Sequence, residues 1–500
     1  MTVMEALKSK QTKSPSEHFD VLIVGAGISG VGGAYHLGKQ CPDTTYVVLE
    51  AQESFGGTWL THRYPGIRSD SDLYTFGYRF KPWVGPPIAT AQEILTYMGD
   101  VIAENELAKN IRYHHKIVRA TWSSEAKLWT IDAVETTTGA THRFTANLLW
   151  MCQGYYRHDE GYTPDWSGMD KFKGRIVHPQ TWPRDLETKG KRVVVIGSGA
   201  TAATLIPNMP ADCASITMLQ RSPTYFRTGR NAVELADTLR QLQVNEDWIH
   251  EIVRRKLLFD QDMFTRMSFN EPEKVKQELL AGVGAYLSPE DVAEHFTPRY
   301  RPWRQRIAFI PDGDLFAGIK AGKASVVTDE IETFTETGLQ LKSGKTLDAD
   351  IIVTATGFHL NVLGDIDFVI DGKPLVFGDT ITYRGMMFTG VPNMVWVFGY
   401  FRASWTLRAD LVADFVCQLI THMKRKGVSQ VTPQLRADDK DMMLLPWIDP
   451  EDFNPGYLMR GMHLLPKRGD KPEWQHSQNY WREKDELPKI DLDDSAFVYR

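Results

Sequence analysis

Apolar positions along the chain gather into short runs. The segment "FDVLIVGAGISG" carries one such run, Val21 to Val24, which breaks at Gly25 and continues through Gly27 and Gly30 in GxGxxG register. A run this short reads as a strand buried on both faces, and the glycines make a tight turn into the small-residue helix that follows. A second run, "TYVVLE", ends at Glu50, twenty residues after Gly30, where a carboxylate can accept hydrogen bonds from a ribose. One βαβ unit is predicted.

The plan recurs. "KRVVVIGSGATAATLI" puts Gly197, Gly199 and Ala202 at the three turn positions, with Ala200 and Thr201 opening the helix. The next strand, "SITMLQR", ends at Arg221 rather than an acid, which replaces the ribose acceptor by a guanidinium suited to a 2′-phosphate. Each unit also has a similar closing strand, "ANLLWMCQGYY" in the first and "ADIIVTATGFH" in the second. The pattern predicts an α/β protein with two Rossmann-like dinucleotide-binding domains, residues 1–150 with 376–500 and residues 151–225 with 319–375. From 226 to 318 the periodicity turns helical, as in "AVELADTLRQLQVNEDWIHEIVRRKLLF" and "EKVKQELLAGV", without strand alternation; this predicts a helical insertion in the second domain. Later, "PNMVWVFGYF" reads as a strand of the first domain leading into a helix with Leu407, Leu411, Phe415 and Leu419 on one face.

Composition then narrows the chemistry. A net charge of -6 and a pI near 6.2 supply no basic stripe for a phosphate backbone, which argues against nucleic acid as a partner. Four cysteines, at 41, 152, 213 and 417, form no CxxC pair and no metal-ligand spacing; this fits a reducing cytoplasm and argues against a disulfide framework, a metal site or a dithiol redox centre. No segment has the apolar length of a membrane span, and the first nineteen residues read as a short disordered leader. The first fold suits FAD, its pyrophosphate on the amides near Ile28, and the second suits NADPH. Flavin with nicotinamide implies hydride transfer to the flavin, and the lack of a closely spaced cysteine pair leaves a separate carrier or dioxygen as the electron sink.

Two longer patterns carry a resemblance. "FKGRIVHPQTWP" supplies Phe172, Gly174, His178, Trp182 and Pro183 in the order FxGxxxHxxxW[PD], between the two nucleotide folds. "GGTWLTHRYPGIRSD" supplies Gly56, Gly57, Trp59, Tyr64, Pro65, Gly66 and Asp70 in the order [AG]GxWxxxx[FY]P[GM]xxxD. With both, the chain resembles the type I Baeyer–Villiger monooxygenases over nearly its whole length. "YRPWRQRIAFIPDGDLFAGI" and "GYFRASWTLRADLV" are similar to the branch containing mycobacterial enzymes that activate thioamide prodrugs.

The resemblance implies FAD, NADPH and dioxygen, and oxygen insertion beside a ketone carbonyl to give an ester or lactone by way of an oxygen adduct at flavin C4a. Oxidation of sulfides is implied as a side reaction. It implies Arg306, in "PWRQR", as the active-site arginine and Asp70 as the carboxylate that orients it, with Gly57, Thr58 and Trp59 among the cofactor-binding residues. Gln305 stands where other branches often carry a lysine that contributes to 2′-phosphate binding, so the NADPH preference rests more heavily on Arg221. Phe172, Gly174, His178 and Trp182 are expected to form a hinge segment, with Trp182 as its anchor and Pro183 stiffening its exit. Arg299, Arg301 and Arg304 crowd close to Arg306, and Arg68 and Asp72 flank Asp70, so those identities stay open, as do a sulfur- or nitrogen-directed oxygenase and a flavin-binding redox sensor as competing functions.

Overall fold

The computed structural model describes residues 16–500. Its larger sheet has nine strands, in the order Lys373–Pro374, Asp367–Ile370, His115–Ser123, Leu128–Glu135, Thr141–Met151, Glu17–Val24, Tyr46–Leu49 and Ile111–Arg112, with Met394–Trp396 pairing off Thr141–Met151. The two-sided apolar run Val21–Val24 occupies the middle, parallel to Tyr46–Leu49 on one side and to Leu148–Met151 on the other. Thr141–Met151 is long because its other edge serves two partners. Its first half pairs antiparallel with Leu128–Glu135, and its second half pairs parallel with Met394–Trp396.

The first helix, Ile28–Gln40, closes onto this sheet because its small residues leave room. A Cβ at Gly33 would come within 3.0 Å of the Trp150 ring, and one at Gly32 within 2.9 Å of Tyr78. Trp405–Lys426 lies beside it, with Leu407, Phe415 and Leu419 buried and Leu411 half-buried. Trp405 Nε1 donates to Ser29 Oγ at 2.8 Å, and Gly427 ends that helix in the left-handed region at φ +66°.

The smaller sheet is parallel throughout, in the order Ser325–Thr328, Ser215–Gln220, Arg192–Ile196, Ile351–Thr354 and Arg175–Val177. The outermost strand explains the spacing of the phenylalanine and glycine just before it. The Phe172 ring folds back over Gly174, where a Cβ would lie 2.5 Å from the ring and 2.3 Å from the Asp350 carbonyl oxygen. The chain then enters the sheet at Arg175.

Four boundaries differ from those read in the sequence. The strand Glu17–Val24 takes up the last three residues assigned to the leader, and residues 1–15 lie outside those described. Asp367–Ile370 already pairs with His115–Ser123, so the chain rejoins the first sheet before residue 376; hydrogen bonding to a distant edge leaves no local signature. The boundary at 318 falls inside the helix Asp314–Lys320. Phe226–Gly229 and Ala308–Pro311, four residues each, pair in parallel at the two ends of the insertion, too short to show alternation. The insertion's long helix, Glu246–Asn270, also buries Ile249 and Val253 in the core of the first unit.

Substituting Gly174→Ala should destabilise the protein by about 1–3 kcal/mol through overpacking against Phe172 and the Asp350 carbonyl; the unfolding midpoint in denaturant measures it. Burial also pushes five histidines below their ordinary value of 6.5: His62 and His250 to about 4, His476 to about 3, and His158 and His178 in the same direction. Each binds its proton less tightly folded than unfolded. Their stabilising contribution is therefore complete above pH 6.5 and is lost as the pH falls below it, through about 4 for His62 and His250 and through about 3 for His476. Thermal unfolding followed from pH 7.5 to 5 should show a falling midpoint.

Candidate active site

A cavity of about 1200 Å³ opens between the two nucleotide folds. The turn glycines Gly25, Gly27, Gly197 and Gly199 line it, with Ala200 and Thr201 at the start of the second turn's helix. Glu50, Gly57, Thr58, Trp59, Asp70, Arg221, Gln305 and Arg306 line it as well. Gly30 lies behind the wall: a Cβ there would sit 1.9 Å from the Gly25 carbonyl oxygen, so its part is to let the helix close on the turn.

The first turn fits a dinucleotide. Gly25 sits at φ +94° and donates its N–H to the Leu49 carbonyl at 2.8 Å. Gly27 and Gly57, the latter at φ +53°, face each other so closely that a Cβ on Gly57 would lie 3.2 Å from the Gly27 Cα; this is a cradle that any side chain would fill. Glu50 accepts from the Ala26 amide at 2.7 Å on one oxygen and from the Gln52 amide at 2.9 Å on the other, which fixes the carboxylate at the cavity wall. Burial raises its pKa, and those amides oppose the shift. The second turn repeats the design. Gly197, at φ +128°, would clash at 2.4 Å with the Ala355 carbonyl oxygen if it carried a Cβ, whereas the Cβ direction at Gly199 is open. Arg221, just past the strand Ser215–Gln220, is exposed and makes no ion pair among the described residues.

Deeper in the cavity, Arg306 and Asp70 form a two-pronged pair. Arg306 Nη2 donates to Asp70 Oδ1 at 2.9 Å, and Nε lies 2.8 Å from Oδ2. The side chains are 40% and 33% accessible, on surface that faces the cavity, and the Asp70 charge holds the guanidinium pKa above its ordinary value. With Nε and one Nη2 hydrogen engaged, Nη1 and the other Nη2 hydrogen are left for a ligand. The competing side chains are committed elsewhere. Arg301 pairs with Asp452, Arg304 with Glu451 and Arg68 with Asp314, while Asp72 caps the helix Leu73–Phe76 by accepting from the Thr75 amide.

The loop carrying Asp70 is fastened to the second fold. Thr201 lies against the buried Tyr64 hydroxyl, and Arg68 Nη1 donates to Asp314 Oδ2 at 2.6 Å. The loop carrying Arg306 is held through the pairs of Arg301 and Arg304 and by a hydrogen bond from the Asn454 amide to the Arg304 carbonyl at 2.9 Å; Trp303 turns it at φ +62°.

Two tyrosines beside Arg306 were missed in the sequence. Tyr155 stacks on Trp405 at 5.2 Å, and its ring lies 6.0 Å from that of Tyr457. Burial raises the pKa of both hydroxyls, which therefore stay neutral in front of the guanidinium. The pair in "GYY", directly after the first closing strand, was a signal for Tyr155; Tyr457 had none.

The residues with the FxGxxxHxxxW pattern stay out of the cavity. His178 Nε2 donates to the Gly357 carbonyl at 3.0 Å while its Nδ1 accepts from the Gln180 amide at 3.1 Å, so the ring is neutral. Trp182 packs on the core of the second fold, in the same cluster as Ile67 of the Asp70 loop.

Comparison with known proteins fits this architecture. Residues 23–83 match the NAD(P)-binding Rossmann-like domain, and residues 84–230 match the family Flavin-binding monooxygenase-like. The chain belongs to the flavin-binding monooxygenases; it is a flavoprotein oxidoreductase with an NAD(P)-binding Rossmann-like domain. It is similar to the FAD-containing monooxygenases named EthA: 45% identity over 473 residues with that of Mycolicibacterium smegmatis (93% of this chain, 94% of the relative) and 43% over 488 residues with that of Mycobacterium tuberculosis (97% and 98%). The probable FAD-binding monooxygenase AlmA of Acinetobacter baylyi is 41% identical over 490 residues, 97% of this chain and 96% of that protein. Among solved structures, the fold is shared with cyclohexanone monooxygenase bound to epsilon-caprolactone (TM-score 0.73, 18% identity, 97% of this chain and 100% of that one). It is also shared with an oxidised steroid monooxygenase bound to NADP (TM-score 0.68, 23% identity, 83% and 88%).

Arg221→Ala should raise the KM for NADPH about 10- to 100-fold, the worth of a hydrogen bond between charged groups, and leave that for NADH nearly unchanged. Initial rates of flavin reduction with the two coenzymes measure it.

Proposed function

We propose that this protein is an NADPH-dependent Baeyer–Villiger monooxygenase, which inserts one atom of dioxygen beside the carbonyl of a ketone to give an ester or lactone and also oxidises sulfides. The observation that carries the reading is the Arg306 guanidinium, held by Asp70 with free N–H groups in a cavity walled by both nucleotide turns. When bound, FAD and NADPH would supply hydride transfer and the activation of dioxygen.

The chain's own residues would do the rest. Gly25, Gly27, Gly57 and Glu50 would hold the flavin nucleotide by its pyrophosphate and ribose, with Thr58 and Trp59 on the same wall; Gly197, Gly199, Ala200, Thr201 and Arg221 would hold the nicotinamide nucleotide, with Gln305 adding a neutral contact. Arg306 would stabilise negative charge on the attacking oxygen and on the carbonyl oxygen, by Coulombic attraction and by the N–H groups that Asp70 leaves free. Asp70 would prevent the guanidinium from turning away, and the neutral tyrosines 155 and 457 would exclude water without competing for its charge. Phe172, Gly174, His178 and Trp182 would act outside the chemistry by fixing the second fold beside the loop of Asp70.

Replacing Arg306 by Ala should lower ketone oxidation about 100- to 1,000-fold and spare FAD content and NADPH-driven flavin reduction. Mass-spectrometric product analysis on phenylalkanones, aliphatic ketones and a sulfide tests this. Normal flavin reduction in the wild type without any ester or lactone would overturn the assignment, and sulfoxide alone would mark a heteroatom oxygenase.

A further inference from the structure

The long insertion helix, Glu246–Asn270, has two unlike faces. Its inner face is fastened to the first unit. Arg254 Nη1 donates to the carbonyls of Tyr74, Thr75 and Gly77, at 2.7 Å for Tyr74; the Trp83 amide donates to His250 Nδ1; and Gln261 Nε2 donates to Asp72, two residues from Asp70.

The outer face is a ridge of exposed positions, 248, 252, 255, 256, 259, 263 and 266, spaced as one side of a helix. Four of them are apolar: Trp248, 66% accessible, Ile252, Phe259, 62% accessible, and Met263. The other three are Arg255, Lys256 and Arg266. Leu242, at the end of the preceding helix, is exposed as well. Asp247, in the first turn, is exposed but about a third of a turn away from Trp248, and the acids paired with the ridge bases lie back from the crest. Glu251, Asp260 and Asp262 are 29%, 40% and 20% accessible against 76%, 55% and 66% for the bases they accompany. Such solvated pairs one helical turn apart are weak, so the bases can exchange them for other anions.

A second copy of the chain is a poor occupant for this ridge. The antiparallel register that sets Trp248 against Met263 and Ile252 against Phe259 also presses Arg255 against Lys256 of the other copy. A parallel register sets Arg255 against itself. Either would enclose like charges in the middle of an apolar seam. An interface that is anionic at its surface and apolar just beneath suits both kinds of side chain.

We propose that the outer ridge of Glu246–Asn270 docks this protein on an anionic lipid bilayer, with Trp248, Ile252, Phe259 and Met263 at the level of the acyl boundary and Arg255, Lys256 and Arg266 on lipid phosphates. Docking is peripheral, since no helix among the described residues is long and apolar enough to cross a membrane. The loop continuing from Asp70 lies on the opposite face of the same helix, about 10–12 Å away.

Flotation of the full-length, FAD-loaded enzyme with vesicles tests this, using phosphatidylcholine alone and phosphatidylcholine mixed with phosphatidylglycerol. The enzyme should float with the mixed vesicles at low salt, with a blue shift of tryptophan emission. Trp248→Ser combined with Phe259→Ser should weaken partitioning about tenfold or more, and Arg255→Gln combined with Lys256→Gln about 30-fold on anionic vesicles only. Unchanged FAD content and flavin reduction by NADPH would show that both variants are folded. Failure of the wild type to float overturns the proposal, as does equal flotation of either folded variant on the mixed vesicles. A concentration-dependent dimer, lost in the Trp248→Ser, Phe259→Ser variant and unaffected by vesicles, would make the ridge a contact between copies and also overturn it.

Discussion

The rest of the site depends on a carboxylate and a guanidinium that meet across 236 residues of sequence. Asp70 comes from a loop of the first nucleotide fold and Arg306 from the end of the insertion, and neither could aim the other until both folds and the C-terminal segment were in place. The supporting contacts serve that end. Tyr64 against Thr201 and Arg68 on Asp314 fix one loop, while Arg301 on Asp452 and Arg304 on Glu451 fix the other. An ion pair this accessible adds little to stability. What it determines is the direction in which the free N–H groups point.

The same economy explains the FxGxxxHxxxW stretch, whose residues touch structure and not the cavity. Phe172 needs Gly174 beneath its ring so that the edge strand can begin at Arg175. His178 ties that strand's exit to Gly357, three residues past the end of the strand Ile351–Thr354 of the same sheet, and Trp182 enters the cluster that also contains Ile67. The pattern thus packs the edge of the second fold's sheet within a cluster that also takes in the Asp70 loop. A neutral histidine with both ring nitrogens engaged by the backbone is suited to that task and not to proton transfer.

The nucleotide turns were legible because their physics is local. A strand buried on both faces, glycines where a side chain would strike a neighbouring carbonyl, and an acid or a base at the end of the next strand all leave marks within thirty residues. The closing strands were legible for the same reason. The early return of the chain at Asp367–Ile370, the parallel pair at the ends of the insertion and the position of Tyr457 were not, since each is decided by partners more than eighty residues away. Arg306 and Asp70 could be named from family patterns, but nothing in "RPWRQR" distinguished Arg306 from Arg301 or Arg304.

By itself, then, the sequence determined two dinucleotide folds, the glycine cradles and the charge that ends the second strand of each unit, because backbone sterics and strand burial act over short spans. The tertiary structure alone decided which arginine faces the cavity, which carboxylate holds it, and which side of the insertion's long helix is left to solvent. Those outcomes depend on pairing between distant segments, and a side chain's neighbours across a fold are not encoded in its neighbours along the chain.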